Sequence, residues 1–177
     1  MSRLLPLLFL VLLSCSSIKV VHDFDQKIDY TQYREYDFFA PLDTRLGPLD
    51  TKRAVRAIDD ILQSRGYKKV AGENLPQFYV NIKSEIIQEA PSGSVSLGVG
   101  GTGNQVGGGV GVGVPMGEPK IRQIIYLDLV DVKGDILFWQ ARIKTPLRED
   151  LTPQKRESKM YEMMEKALKA FPPEIKK

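Results

Sequence analysis

The chain of 177 residues carries 25 basic and 22 acidic residues, 42% hydrophobic residues, one histidine and one cysteine. Charge this close to balance, with no long Lys/Arg block and no aromatics alternating with basic residues, argues against a protein that tracks a DNA or RNA backbone. A lone cysteine rules out an internal disulfide framework, so the core must come from apolar packing, for which the length is ample.

Residues 1–14, MSRLLPLLFLVLLS, open with one positive charge at Arg3, run almost wholly apolar from Leu4 to Leu13 and end in the small Ser14. This is secretory signal architecture. A helix needs roughly 20 apolar residues to span a bilayer, so a run this short does not serve as a transmembrane anchor. Leu12-Leu13-Ser14-Cys15 resembles the bacterial lipobox, in which the cysteine accepts diacylglycerol and, after cleavage, an N-acyl chain such as palmitate. Cys15 is therefore the expected lipidation site. Several chains at about 0.8 kcal/mol per buried methylene would hold the protein on a membrane. Ser16 after the cysteine, by resemblance to the Gram-negative sorting rule, points to the periplasmic face of the outer membrane. Removing the leader leaves 24 basic against 22 acidic residues over positions 15–177.

In the mature chain, Ile18, Val20 and Phe24 alternate as a first strand, and Tyr33 to Ala40 reads as a second, aromatic one. Pro41, Gly47 and Pro48 mark a loop before a helix that Asp50 or Thr51 could cap, that carries Val55, Ile58, Ile61 and Leu62 on one stripe, and that Gly66 closes. Phe78, Val80, Ile82, Ser84 and Ile86 then alternate with Tyr79, Asn81, Lys83 and Glu85, the pattern of a half-buried strand. Two further strands, IRQIIYLDLVDV and DILFWQARI, flank Lys133-Gly134-Asp135 as an antiparallel hairpin. Trp139 shares a face with Leu137, Ala141 and Ile143 and reads as core. A last helix starts with Thr152 as cap and Pro153 at its first position, and places Met160, Met164, Ala167, Leu168 and Phe171 on one stripe. The expected fold is a single α+β domain, with two helices packed on one face of a mainly antiparallel sheet.

Residues 90–119 hold 11 of the 15 glycines and form a Gly-rich excursion between strands. Val95, Leu97 and Val99, and later Val110, Val112 and Val114, alternate with small residues as if two arms could pair into a flat ribbon able to meet a partner. Gly98 to Gly103 matches G-x-G-x-x-G, but no helix follows, so nucleotide binding is not expected. The second candidate surface is the sheet face bearing Tyr79 and Lys83.

No catalytic set emerges. His22 is the one candidate base and no G-x-S-x-G elbow accompanies it. Asp128 and Asp131, three apart in a strand, fall on opposite faces. His22, Asp23 and Asp25 alone do not make a metal site. Neither metal nor cofactor is expected beyond the lipid on Cys15.

The lipobox followed by Ile18-Lys19-Val20, the strand around Tyr36-Asp37-Phe38, Arg65-Gly66-Tyr67, Gln77-Phe78-Tyr79-Val80-Asn81, the Gly-rich tract, Leu127-Asp128-Leu129, Leu137-Phe138-Trp139 and Phe171-Pro172-Pro173 follow one another in an order that resembles a family of bacterial lipoproteins defined by a domain of unknown function, DUF4136. The resemblance covers nearly the whole mature chain and implies location and fold without supplying catalytic residues. The expected function is that of a non-enzymatic cell-envelope lipoprotein binding an envelope protein or cell-wall component. The rivals are a small-ligand or lipid-handling protein, with a pocket lined by Phe38, Phe39, Phe78 and Trp139, and a hydrolase with His22 in a cleft beside a Ser or Asp.

Overall fold

Alternation of apolar and polar residues builds the long strands, and helical stripes cover one side of the sheet they form. A computed structural model of the chain describes residues 18–70, 74–90, 93–96, 113–116 and 118–174. Its strands are β1 (Lys19–Phe24), β2 (Glu35–Phe38), β3 (Lys68–Lys69), β4 (Phe78–Glu89), β5 (Gly93–Ser96), β6 (Gly113–Met116), β7 (Lys120–Asp131) and β8 (Ile136–Pro146). Its helices are α1 (Pro48–Ser64) and α2 (Pro153–Leu168). Among the described residues, six strands form one sheet in the order β1-β8-β7-β4-β2-β3. β1, β8, β7 and β4 pair antiparallel, while β2 runs parallel to both β4 and β3, so the sheet is mixed and the domain α+β. β5 and β6 pair antiparallel as a separate two-stranded ribbon.

The second strand is shorter than its aromatic run suggested. Tyr30–Gln32 form a 3-10 turn, and β2 spans only Glu35–Phe38. α1 departs from expectation at its start. Gly47 is the N-cap and offers no side-chain cap, and Pro48 opens the helix with its fixed φ. Thr51 and Asp50 are engaged elsewhere: the Thr51 hydroxyl bonds that of Thr44 at 2.7 Å, and Asp50 pairs with Arg53 at 2.6 Å. At the other end Gly66 adopts φ +85° with open space around it. Gly66→Ala therefore adds backbone strain without a clash, and is expected to lower stability by about 1 kcal/mol, read as a shifted urea midpoint with unchanged slope. α2 starts as expected, with the Thr152 side chain accepting from Lys155 N and Pro153 in the first turn.

Both helices lie on one face of the sheet. Ala54, Ala57, Ile58, Ile61 and Leu62 of α1 and Met160, Met163, Met164, Ala167 and Leu168 of α2 join Phe78, Val80, Ile82, Ile125, Leu127, Leu129, Ala141 and Ile143 in one buried cluster. At one end of it the rings of Tyr33, Tyr36, Tyr67, Phe138 and Phe171 surround Phe78 with centroids 5.8 to 6.0 Å away.

Two expectations about strand faces fail for identifiable reasons. Leu137 is half exposed, although Trp139, Ala141 and Ile143 are buried. The register jumps from Leu129↔Trp139 to Val130↔Leu137, leaving Phe138 as the extra residue of a bulge. Phe138 and Trp139 both face inward and Leu137 is turned to the opposite side. Ile86 is also exposed, because the core ends near Ser84 and Ile125 while β4 and β7 continue beyond it as a paired arm.

Candidate binding face

With both helices on one side, the opposite face of the sheet has no helix over it among the described residues. Residues directly opposed across paired strands share a face, so the register defines its rows. The first row runs Asp37, Tyr79, Val130 and Leu137. Phe39, just past β2, packs edge-on against Tyr79 with centroids 5.6 Å apart. Phe39 and Leu137 are 42% and 49% exposed, so an aromatic and aliphatic strip crosses the sheet at the surface.

The next row is Asn81, Asp128, Gln140 and Asp23. Gln140 Nε2 donates to Asp128 at 2.7 Å. Burial raises the Asp128 pKa, opposed by the hydrogen bond from Gln140, the Lys83 charge and a bond from Asn81. Beyond it come Lys83, Tyr126, Arg142 and Val21, then Glu85, Ile124, Lys144 and Lys19. The Tyr126 hydroxyl donates to Glu85 at 2.8 Å, and that bond together with burial raises its pKa. Glu89, on the arm, accepts from Lys144 and from Arg122, which hold its pKa below the usual carboxylate range. The face therefore grades from apolar to amide and carboxylate to charged over four successive rows, from Tyr79 to Glu85 of β4. Strands hold these rows at fixed spacing, so the arrangement of the surface is set by the sheet itself.

Tyr79 and Lys83, both expected on this face, lie on it four residues apart. Asn81 shares their side by the same alternation, whereas Phe39, Val130, Leu137 and Gln140 had no such signal in the sequence, since only strand pairing and packing bring them there. Val95 and Val114 stand opposite each other in the β5–β6 ribbon. Leu97, Val99, Val110, Val112, the glycine motif at 98–103 and the lipidation candidate Cys15 lie outside the described residues.

His22 faces the helices. A carbonyl only accepts, so the Nε2–H donates to Ala167 O at 2.8 Å, and the ring lies 5.8 Å from Trp139. The one histidine is thereby tied into the packing between β1 and α2. Asp131 accepts from the Tyr33 hydroxyl at 3.0 Å. Trp139 and Phe78 are fully buried, Phe38 lies beneath the Lys69 ammonium and Phe39 is at the surface, so these four rings do not line one pocket. Among the described residues no cluster of three or more His, Cys, Asp or Glu is arranged to hold a metal, and no helix is long and apolar enough to cross a membrane.

Among the described residues, a mixed six-stranded sheet with two helices on one side and no helix on the other defines an α+β domain. The sequence pattern of the DUF4136 domain of unknown function matches residues 20–173, and the chain belongs to that family. A crystal structure of a DUF4136 family protein from Bacteroides thetaiotaomicron is similar in fold, with 12% identity, a TM-score of 0.53 and coverage of 88% of this chain and 96% of the other. A PDZ domain protein from Parabacteroides distasonis shares 11% identity with a TM-score of 0.52, over 88% of this chain and 35% of the larger protein. The PelC dodecamer from Paraburkholderia phytofirmans matches at 11% identity and a TM-score of 0.49, over 85% of this chain and 94% of that one. No curated protein sequence matches the chain.

Proposed function

We propose that the chain is a cell-envelope lipoprotein, anchored through lipid on Cys15 at the periplasmic face of the outer membrane, that works without catalysis as a binding module for an envelope protein or cell-wall component. The observation that carries the reading is the uncovered sheet face, with its in-register strip of Phe39, Tyr79, Val130 and Leu137 beside a polar row. Apolar surface rimmed by polar groups is how partner sites present themselves on small domains. The lipobox-like Leu12-Leu13-Ser14-Cys15 supports the anchor. The buried positions of Phe78 and Trp139 favour a surface site over an aromatic ligand pocket, and the helix carbonyl on His22 Nε2 favours a structural histidine over a hydrolytic base.

Photo-crosslinking in living cells with a benzophenone residue in place of Tyr79, beside a control in place of exposed Tyr161 on α2, tests the site. A discrete adduct from position 79 and none from 161 is expected, and equal labelling from both would overturn it. In the same cells, Cys15→Ser should move the protein out of the membrane fraction. If that variant stays with the membrane as fully as the parent, the anchor is wrong.

A further inference from the structure

The far end of the domain from the aromatic cluster holds a second feature. β1 begins there: Lys19 stands opposite Lys144, the residue before Thr145. Lys19 is four residue steps from Cys15, a span of no more than about 14 Å of extended chain. Both helices start at this end as well. Arg53 and Arg56 of α1 pair with Glu157 near the start of α2, whereas Arg65, just past α1, reaches the carbonyls of Leu168 and Phe171 at the other end. The helices are therefore parallel, and their two positive dipole ends point the same way.

Between the end of β8 and the first turns of α2 lies a cleft of about 40 Å³, lined by Asp50, Gln123, Thr145, Arg148, Arg156 and Lys159 among others. That is room for roughly three water-sized oxygens. Its charges are unequal. Asp50 is held by Arg53 at 2.6 Å and by Arg156 at 3.5 Å. Arg156 also donates to the carbonyls of Leu151 and Glu149. Arg148 and Lys159 are left without a carboxylate bonded to them in the cleft. Lys159 donates to the Pro146 carbonyl at 3.5 Å. Its ammonium is pulled below the usual lysine range by burial and then by Arg148, against the opposing charges of Glu162 and Asp150. At the wall of the cleft, Thr145 is 1% exposed and its Oγ1 has no hydrogen-bond partner. Native folds rarely keep a buried hydroxyl unpaired unless something else completes it.

Surplus cations and an unpaired buried hydroxyl around a space of this size are the chemistry of an oxyanion site. We propose that the cleft binds a single phosphate group presented by the membrane surface, through Arg148, Lys159 and Thr145, and so sets the domain's orientation on the bilayer. The membrane as source rests on the Cys15 anchor proposed above; the cleft chemistry does not.

The test uses the full-length protein purified in a phosphate-free maltoside detergent, with mass spectrometry of its N-terminal peptide to establish whether Cys15 is acylated. Melting temperature and side-chain NMR of the arginines and lysines are followed on adding inorganic phosphate and, separately, short-chain phosphatidylglycerol. Both are expected to raise the melting temperature and shift the Arg148 signal. Arg148→Ala and Thr145→Val should each weaken binding at least about tenfold, and Thr145→Val should leave the unliganded protein no less stable, because an isosteric apolar group replaces an unpaired hydroxyl. Phosphate binding with no response to the lipid would overturn the membrane as source. No response to either, or an undiminished response in both variants, would overturn the site. Binding to both by a protein not acylated on Cys15 would uphold the cleft and remove the anchor.

Discussion

Phe78→Ala is expected to lower the stability of the domain by about 3–5 kcal/mol, the range for truncating a buried aromatic in a core that cannot collapse around the gap. Phe78 is 0% exposed and touches five other rings, contributed by the segment before β2, β2 itself, the end of α1, β8 and the chain after α2. Those segments are held by backbone pairing or helix ends, so the neighbours cannot shift far enough to fill the space. Urea unfolding followed by circular dichroism measures the effect. Against a total of roughly 5–15 kcal/mol for a typical domain, such a loss removes a large fraction of the stability. A loss below about 1 kcal/mol would mean that the aromatic cluster is not where the core's packing resides. Leu137→Ala, half exposed on the other side of the sheet, serves as the contrast and should change little.

Raising the pH above about 10 should unfold the domain cooperatively. Burial raises the Tyr30 pKa to about 12, with the nearby Asp25 charge adding to it, and the same direction holds for Tyr33, Tyr36 and Tyr67, each chiefly through burial. Three of these hydroxyls donate bonds that ionisation would abolish: Tyr30 to Phe138 O at 2.8 Å, Tyr33 to Asp131 at 3.0 Å and Tyr36 to Asp59 at 2.9 Å. The folded state favours the neutral phenol, so its pKa lies above the unfolded value. The stabilisation is complete below the unfolded pKa near 10 and is lost as the pH climbs through the folded one. For Tyr30 alone that amounts to roughly 2–3 kcal/mol between pH 10 and about 12. Tyrosinate absorbance and far-ultraviolet circular dichroism, recorded together during an alkaline titration, should change in one coincident step for these residues. Full ionisation of all seven tyrosines with the secondary structure intact would contradict the buried arrangement.

The elements with strong periodicity are legible in the sequence. The β7–β8 hairpin, the alternation from Phe78 to Ser84, the Thr152-Pro153 start of α2 and the Gly66 end of α1 each rest on a local rule, namely pleat, cap or left-handed turn, that the residues satisfy by themselves. The start of α1 misled, because Asp50 and Thr51 are good caps whose side chains are drawn off by Arg53 and Thr44. The bulge at Phe138 inverted the expected side of Leu137. Two adjacent large aromatics, Phe138-Trp139, within an otherwise alternating strand were the trace it left in the sequence.

The residues of the sheet face and of the cleft were not legible as groups. Tyr79 and Lys83 could be placed on one side of one strand, but Val130, Leu137 and Gln140 reach them only through the pairing of β4 with β7 and β7 with β8. Thr145, Arg148 and Lys159 sit close in sequence yet gain their meaning from Asp50 and Gln123, which arrive from α1 and β7. Sequence by itself determined the elements, the inward stripe of each and the lipobox-like leader, because those depend on spacing within one segment. Tertiary structure alone decided which strands became neighbours, that β2 runs parallel beside β4, which sheet face stayed open and where the unpaired Thr145 hydroxyl came to lie. Those outcomes depend on contacts between segments tens of residues apart, where many registers satisfy the same local pattern and only joint burial of the helices and strands selects one.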